Sequence, residues 1–320
     1  MEHSRADVGL TSLDEFVDVV ASIYSPHDRY RSIWDVWCHT LHHAAGVAEQ
    51  IRREINDERL YREIADFSLW LFTAVLKLKG KFGQSKDTSE APLESLVRIQ
   101  NTCSELLWHR YPKLCPHCSG RKIATGNADD ASLGAVGPCE CLPRQPKIGD
   151  EEARRKRLTA VRNHSEKISG EKPASIDEWQ KMFGTIFAKS LTVLSLPDIA
   201  LHLMEELGET SDAMIRMYSY KETNFRLGEP NWRQLNLEAQ LADVFSWLFA
   251  LVEKLEQERG DREEQRSTES IRLSKIIWDH YGSDDLHTFY CATCKNTLCT
   301  CSIILVPNTR PIEDLLSKFQ

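Results

Sequence analysis

Acidic residues on two predicted helices have the types and spacing to bind a divalent cation. The helices lie within residues 201–255; the first carries Glu205, Glu206 and Glu209, and the second carries Asp243. Residues three or four apart share a helix face, so Glu206 and Glu209 point the same way. If the helices pack antiparallel, the carboxylates meet, and their mutual repulsion then requires a cation. Hard oxygen ligands in this number suit Mg²⁺ or Mn²⁺.

The alternative for these acids is a solvated helix surface, where most charged residues lie. Two features favour burial. Apolar residues such as Leu203 and Leu207 flank the acids of the first helix, and Asp243 directly precedes the apolar run 244–252. A carboxylate at the edge of such a run loses hydration, and a metal or a partner group offsets that loss.

Two cysteine tetrads form a second kind of candidate site, each combining a CxxC pair with a CxC pair. The first consists of Cys115, Cys118, Cys139 and Cys141, and the second of Cys291, Cys294, Cys299 and Cys301. Four thiolates around one ion are typical of structural Zn²⁺, so we expect two zinc ions. The two pairs of the second tetrad are close in sequence, so a ligand role for His287, or a shared site, is an alternative. A redox switch that uses the CxxC pairs is another.

An internal duplication is indicated by segments that recur in the same order. Ser12–Glu15 and Ser175–Glu178 are both capping boxes that open an apolar helix. The other recurring pairs are 40–49 with 200–209, 63–72 with 240–249, and 107–111 with 277–281, and a cysteine tetrad follows each copy. Recurrence in unbroken order indicates tandem copies of one structural unit.

The two copies differ in their acids. In this alignment Ala45 and Gly46 stand opposite Glu205 and Glu206, and the second copy has Gln240 at the third acidic position. The acids kept by the first copy are Glu49, Glu63 and Asp66. Neither copy carries a complete set, and the second is the stronger candidate for a working site.

The acid pattern resembles that of the MazG-like, all-α NTP pyrophosphohydrolases, which carry ExxE, a spacer and then ExxD. Glu206 and Glu209 match the first pair, and Asp243 matches the last acid. The residue three positions before Asp243 is glutamine rather than glutamate, which is a departure from the family pattern. A nearby acid, Glu238 or Glu205, could compensate for the missing carboxylate.

The resemblance implies a hydrolase that cleaves a ribo- or deoxyribonucleoside triphosphate to the monophosphate and pyrophosphate, using Mg²⁺ or Mn²⁺. The implied metal ligands are Glu206, Glu209 and Asp243 in the second copy, with Glu49, Glu63 and Asp66 as candidates in the first. Glu205 is the candidate for orienting or deprotonating the attacking water.

Candidate substrate-binding residues are Trp247 and Trp70, each four residues after an aspartate, together with His202, Lys221 and Arg226. The resemblance implies that an aromatic residue near the tryptophan position stacks on the base, a contact worth about 1–3 kcal/mol. The alternatives are core tryptophans, a structural histidine that recurs as His42, and loop cations that face water.

The predicted fold is all-α: two tandem MazG-like helical bundle repeats form a pseudo-dimer within one chain, and a small zinc knuckle follows each repeat. The predicted divisions are 1–112 (first repeat), 113–145 (first zinc element), 146–173 (linker with a possible helix), 174–283 (second repeat) and 284–320 (second zinc element and C-terminal helix).

The composition favours a cytoplasmic globular protein. The formal charge of −8 argues against general nucleic-acid binding. The N-terminal sequence has no apolar signal core, and the runs 67–76 and 244–252 are too short to cross a bilayer. The expected partner is a nucleoside triphosphate; a homo-oligomer, or a protein partner bound through the zinc elements, stays open. The enzyme would serve nucleotide-pool cleaning or nucleotide depletion, and the alternative is a catalytically inactive nucleotide-binding or scaffolding subunit.

Overall fold

The computed structural model describes residues 12–28, 30–53, 57–80, 98–124, 138–139, 141, 151–218, 230–262, 270–283 and 288–301. These residues are mostly helical, which confirms the predicted all-α class. The predicted C-terminal helix lies outside the described residues. Below, the first half means the described part of residues 12–141, and the second half means that of residues 174–301.

The helices of the first half are α1 (Leu13–Asp28), α2 (Ile33–Arg52), α3 (Asp57–Leu78), α4 (Cys103–Arg110) and α5 (Cys118–Ala124). Between the halves lie α6 (Glu151–Lys167) and a 3₁₀ turn (Ser169–Glu171). The second half contains α7 (Ile176–Ile186), α8 (Ala188–Val193), α9 (Leu196–Tyr218), α10 (Pro230–Arg262) and α11 (Leu273–Tyr281). Strands β1 (Gly282–Ser283) and β2 (Thr288–Phe289) form an antiparallel ribbon after α11.

Local polar signals start the first helix of each half. At α1 the backbone N–H of Glu15 donates to Ser12 Oγ (3.2 Å), and at α7 Ser175 and Glu178 form a complete capping box. Both observations agree with the predicted boxes. Such a cap satisfies a free N–H of the first turn and stabilises the helix by about 1 kcal/mol.

One hydrophobic core joins the two halves. In the first half α2 packs against α3, and in the second α9 packs against α10. Phe72 of α3 and Phe245 of α10 are fully buried, and their ring centroids lie 5.3 Å apart. Full burial of a phenylalanine side chain contributes about 1.5–3 kcal/mol, so this contact stabilises the two halves together.

One late helix of each half packs against the other half: α4 contacts α10, and α11 contacts α3. The hydroxyl of Tyr111, just after α4, donates to Asp243 on α10. The hydroxyl of Tyr281, at the end of α11, donates to Asp66 on α3. Each half therefore completes the surroundings of the other half's aspartate.

The cysteine elements cross over in the same way. The backbone N–H of Cys139 donates to the carbonyl of Ile186 at the end of α7 (2.6 Å). The backbone N–H of Cys299 donates to the carbonyl of Ile23 in α1 (2.8 Å). Each tetrad is thereby attached to the first helix of the opposite half.

The helix predicted in the linker is present as α6, which packs against α4 and α5. Trp108 Nε1 of α4 donates to the Ser165 carbonyl of α6 (2.9 Å). Near the other end of α6, the Arg155 guanidinium lies over the Trp232 ring of α10, 5.1 Å from its centroid, which is a favourable cation–π contact. The linker helix therefore contacts both halves.

Among the described helices, one segment of α10, Trp232–Arg259, has the length and composition of a membrane span. It extends well beyond the apolar run 244–252 considered from the sequence. Most of this segment is buried inside the protein. A helix that is apolar on nearly all sides and covered by other helices is typical of a protein core.

Candidate metal centres and a composite acidic site

Each cysteine tetrad brings its four sulfur atoms within 4.8 Å of one another. In the first tetrad the pairs Cys115–Cys139, Cys115–Cys141 and Cys118–Cys139 are 3.3, 3.8 and 3.9 Å apart. In the second, Cys291–Cys299 and Cys291–Cys301 are 3.4 and 3.8 Å apart. Zinc–sulfur bonds of about 2.3 Å in a tetrahedron place the sulfurs about 3.8 Å apart, whereas a disulfide needs about 2.05 Å. Both tetrads can therefore bind Zn²⁺.

The acids predicted in the second half come together where α9 packs against α10. Glu206 of α9 and Asp243 of α10 are buried. Glu209, one turn after Glu206, accepts a hydrogen bond from Gln240 Nε2 (3.1 Å). Gln240 lies one turn before Asp243 on the same face of α10. We call Glu206, Glu209, Gln240 and Asp243 the second-half cluster.

Asp243 is held by residues of the first half. Arg110 donates to both carboxylate oxygens, from Nε to Oδ1 and from Nη2 to Oδ2 at 2.8 Å each, and the Tyr111 hydroxyl donates to Oδ1 at 2.7 Å. All three side chains are buried. Burial would raise the pKa of Asp243, but the charge and hydrogen bonds of Arg110, together with the His117 charge and the Tyr111 hydrogen bond, outweigh burial and hold the pKa below its ordinary value. Asp243 is therefore charged and fixed in orientation.

A second arginine, Arg154 of α6, lies near the same cluster. Its side chain is partly buried, and burial together with the neighbouring Arg110 charge lowers its pKa below the ordinary value. The charges of Asp243, Glu209 and Glu206 act in the opposite direction. The cluster thus combines carboxylates with two guanidinium groups, which is an arrangement suited to a cation and an anion together.

Sequence reasoning missed Arg110, Tyr111 and Arg154. A signal existed for the first two, because Arg110 and Tyr111 precede the first CxxC pair and recur as His280 and Tyr281 before the second. Arg154 offered no such signal, since it is one of several basic residues in α6 and the sequence predicts a solvated face there.

The two acids considered as substitutes for a missing glutamate have other partners. Glu238 accepts a hydrogen bond from Asn101 Nδ2 (2.7 Å), so it fastens the segment before α4 to α10. Glu205 is exposed, and its Oε2 lies 3.3 Å from His202 Nδ1 on the same helix. Within the described part of the chain, the Oε1 atom of Gln240 is buried without a hydrogen-bond partner.

The corresponding place in the first half holds imidazole–carboxylate pairs. His43 Nδ1 lies 3.0 Å from Glu63 Oε2 and 4.0 Å from Asp66 Oδ2. Asp66 also contacts His280 Nε2 (3.3 Å) and the Tyr281 hydroxyl. Burial would raise the pKa of Asp66, but the hydrogen bonds from His280 and Tyr281 outweigh burial and lower it. We call these five residues the first-half cluster.

Ring contacts correct the sequence alignment of α2 with α9. His39 stacks on Trp70 with ring centroids 4.2 Å apart, and His202 stacks on Trp247 at 4.6 Å. The match for His202 is therefore His39, three residues before the His42 that the sequence comparison chose. Helical segments tolerate such a shift in a sequence alignment because apolar residues recur every three to four positions.

The caps of the same helices support this correction. Asp35 N–H donates to Ser32 Oγ at the start of α2 (3.0 Å), and Asp198 N–H donates to Ser195 Oγ at the start of α9 (3.3 Å). The two serines are 163 residues apart, as are His39 and His202 and the predicted caps at the first helix of each half.

The spacing of 163 residues that the stacks and caps share also changes which residues stand opposite each other in the two clusters. At this spacing His43 and Gly46 stand opposite Glu206 and Glu209, instead of the predicted match of Ala45 and Gly46 with Glu205 and Glu206. A Cβ atom on Gly46 would lie 2.5 Å from Glu63 Oε2. Glycine at this position therefore leaves the space that the Glu63 carboxylate occupies.

Both predicted base-stacking tryptophans already contact neighbouring side chains. Trp247 stacks on Phe187 (5.0 Å) as well as on His202. The Arg31 guanidinium lies 4.9 Å from the centre of the Trp70 ring. A base would have to share or displace these contacts.

The remaining predicted residues lie outside the two clusters or outside the described chain. Glu49 pairs with Arg53 one turn later on α2 (2.6 Å), and both side chains are about half exposed. Lys221, Arg226 and the alternative zinc ligand His287 lie outside the described residues.

Comparison of the chain with family models, with curated proteins and with solved structures finds no match in any of the three. Function therefore has to be inferred from the site itself.

Proposed function

We propose that the protein is a Mg²⁺-dependent nucleoside triphosphate pyrophosphohydrolase, which cleaves (d)NTP to (d)NMP and pyrophosphate at the second-half cluster. The observation that carries this proposal is the meeting of the α9 and α10 acids with Arg110 and Arg154. Carboxylates suit the metal, and guanidinium groups suit phosphate oxygens. The resemblance of the acid pattern to the MazG-like family agrees with this chemistry.

The residues of the cluster fit a hard divalent cation. Glu206 and Glu209 offer carboxylate oxygens, and Gln240 offers an amide oxygen that has no hydrogen-bond partner among the described residues. Asp243, the predicted third carboxylate ligand, adds negative charge to the same cluster, but both of its oxygens accept hydrogen bonds from the first half. Among the described residues, the oxygens of these carboxylates do not all lie within 4.8 Å of one another, so metal binding would require the glutamate side chains to rotate. When bound, Mg²⁺ would neutralise phosphate charge and polarise the reacting phosphorus.

The chain's own groups would divide the remaining tasks. Arg110 keeps Asp243 charged and fixed, because it donates to both of its oxygens. Arg154 would bind the polyphosphate, since it is a partly buried cation beside the acids. Glu205, exposed on α9 beside this face, is the candidate for orienting the attacking water.

The proposal includes a tandem duplication that forms a pseudo-dimer of MazG-like bundles within one cytoplasmic chain, held by structural zinc. Its support is the recurrence of contacts: Tyr111 with Asp243 and Tyr281 with Asp66, each across the two halves. The histidine–tryptophan stacks and the helix caps recur at one spacing as well. In this view the first-half cluster has changed its ligands, and the second half carries the working site.

The test is pyrophosphate release with Mg²⁺ over a panel of NTPs and dNTPs, using zinc-loaded full-length protein. Glu206→Gln should lower release about 100-fold or more, because a metal ligand supplies several kcal/mol of transition-state stabilisation. Glu49→Gln is the matched control, since Glu49 is an exposed glutamate of the first half. Equal loss in both variants, or no release from any nucleotide by folded wild type, would overturn the proposal.

A second candidate is a nucleotide-binding or scaffolding subunit without turnover. The observation that favours it is the engagement of both Asp243 oxygens by Arg110 and Tyr111. Under this function, wild type binds a nucleotide triphosphate but releases no pyrophosphate, and Glu206→Gln leaves complex formation with a partner unchanged.

A further inference from the structure

We propose that the side-chain oxygen of Gln240 is itself a metal ligand, and that it serves with Glu206 and Glu209 while Asp243 acts as an anchor. This inference rests on the proposed function of the same site and names the ligand that α10 provides. Gln240 stands where the expected acid pattern has a glutamate, and it would thus bind the metal in place of that glutamate.

The first observation is an orphaned polar atom. Gln240 has 2% of its surface exposed, and its Oε1 has no hydrogen-bond partner among the described residues. Folded proteins rarely leave a buried amide oxygen unsatisfied, because it loses water without gaining a donor. Because this buried oxygen has no donor among the described residues, a bound cation is a candidate for its partner.

The second observation fixes which end of the amide is free. Gln240 Nε2 donates to Glu209 Oε2 at 3.1 Å. An ionised carboxylate can only accept hydrogen bonds, so the nitrogen must face Glu209. The oxygen is consequently the end left for a cation, and amide oxygens are ordinary ligands of hard cations.

The third observation explains why Asp243 is not the ion-facing group of α10. Its Oδ1 accepts hydrogen bonds from Arg110 and Tyr111, and its Oδ2 accepts one from Arg110. Turning this carboxylate toward an ion would leave the buried guanidinium without its partner, which is strongly unfavourable. Asp243 therefore positions the first half against α10, and Gln240, one turn earlier, contacts Glu209 of α9.

A neutral oxygen in place of a carboxylate has a measurable consequence. The ion gains less electrostatic attraction from an amide than from a carboxylate, so Gln240→Glu should tighten its binding. The chain itself carries a glutamate at the matching position of the first half, Glu63, so Gln240→Glu introduces the residue found there. Gln240→Leu should weaken binding, since it replaces the amide with a shorter apolar side chain that offers no oxygen to the ion.

The experiment measures Mn²⁺ affinity from the electron paramagnetic resonance signal of free Mn²⁺, on zinc-loaded full-length protein. Every variant carries Glu63→Gln, which removes one of the two first-half carboxylates and is the same in all the proteins compared. Gln240→Leu should raise the dissociation constant about tenfold or more, whereas Gln240→Glu should lower it. Gln234→Leu is the matched control on α10, because Gln234 Nε2 donates to Glu238 instead (2.9 Å).

The outcomes separate this inference from the proposed function. Suppose that Gln240→Leu has the melting temperature, the zinc content and the Mn²⁺ affinity of the Glu63→Gln parent. Gln240 is then not a metal ligand, whether or not the protein releases pyrophosphate. If Gln240→Leu is unfolded, the Gln240→Glu variant decides, and unchanged or weaker Mn²⁺ binding overturns the inference. Mn²⁺ binding that depends on Gln240 without any pyrophosphate release supports the ligand role and rejects the hydrolase.

Discussion

The two clusters place different side chains around matching aspartates. Asp243 is buried and faces the guanidinium of Arg110, whereas Asp66 is about one-fifth exposed and faces the imidazole of His280. A guanidinium stays charged at every physiological pH, while Asp66 accepts hydrogen bonds from His280 and Tyr281. The second half can therefore keep a buried carboxylate ionised, and the first half relies on partial solvation and hydrogen bonds.

The α2 and α9 positions differ as well. In the first half His43 pairs with Glu63, so an α2 side chain provides the partner of the α3 acid. In the second half the α9 residues are Glu206 and Glu209, and the α10 partner is the neutral Gln240. The acid therefore lies on α3 in the first half and on α9 in the second, and its partner on the facing helix is basic in the first half and neutral in the second.

The largest expected effect comes from breaking one cysteine tetrad at a time. Cys139→Ser should lose one of two bound zinc ions and loosen α4 and α5, because structural zinc contributes folding free energy directly. Cys299→Ser should lose the other ion and loosen α11. Zinc content by elemental analysis, with hydrogen exchange by mass spectrometry, checks both. Retention of two zinc ions by either variant would contradict the assignment.

The next largest effect concerns the arginine of the second-half cluster. Arg110→Ala should lower the free energy of unfolding by about 3–5 kcal/mol, because it leaves the buried Asp243 charge without its partner. His280→Ala, the matching change in the first half, should cost about 0–1 kcal/mol, because its pair with Asp66 is partly solvated. Denaturant unfolding of the two variants makes the comparison, and equal losses would show that burial does not distinguish the clusters.

The pH dependence of stability sharpens the same comparison. The folded-state pKa of Asp243 is lowered below its unfolded value, so the ionised form stabilises the protein above about pH 4. That contribution is lost as the pH falls from about 4 through the folded-state pKa. The unfolding free energies of wild type and Asp243→Asn should therefore converge in acid and differ by a constant amount between about pH 5 and 7. If the difference between the two unfolding free energies instead grew in acid, the pKa of Asp243 would be raised in the folded state rather than lowered.

A smaller effect is expected where α2 meets α9. Trp37 Nε1 donates to Ser211 Oγ across the two halves at 2.8 Å. Ser211→Ala removes the acceptor and should cost about 0.5–1.5 kcal/mol, with little change in the clusters. Thermal unfolding measures the loss. The variant Trp37→Phe removes the donor of the same hydrogen bond. If the double variant loses as much free energy of unfolding as the two single variants added together, the hydrogen bond contributes nothing.

The smallest effect is expected at the exposed pair of Glu49 and Arg53 on α2. Glu49→Ala should change the free energy of unfolding by no more than about 0.5 kcal/mol, because both side chains are about half exposed and solvent screens the pair. Thermal unfolding at low and high salt checks this expectation. A loss of 2 kcal/mol or more, roughly the size expected of a buried group, would reopen the candidacy of Glu49 as a ligand.

The sequence alone predicted features that depend on neighbours along the chain. The helical class follows from apolar periodicity, and the caps at Ser12 and Ser175 follow from a four-residue pattern. The cysteine tetrads follow from the close spacing within each pair. The acids of α9 and α10 were also identified, because residues three apart share a helix face whatever the tertiary fold.

The tertiary structure alone decided what surrounds those acids. Arg110 meets Asp243 across 133 residues, and Arg154 reaches the cluster because α6 packs against α4 and α5. No spacing rule links residues so far apart, since their meeting depends on how whole helices pack. The same packing placed His202 on Trp247, as His39 is placed on Trp70, and left Gln240 Oε1 buried without a donor among the described residues. The sequence therefore determined which groups are present, and helix packing determined which of them share a site.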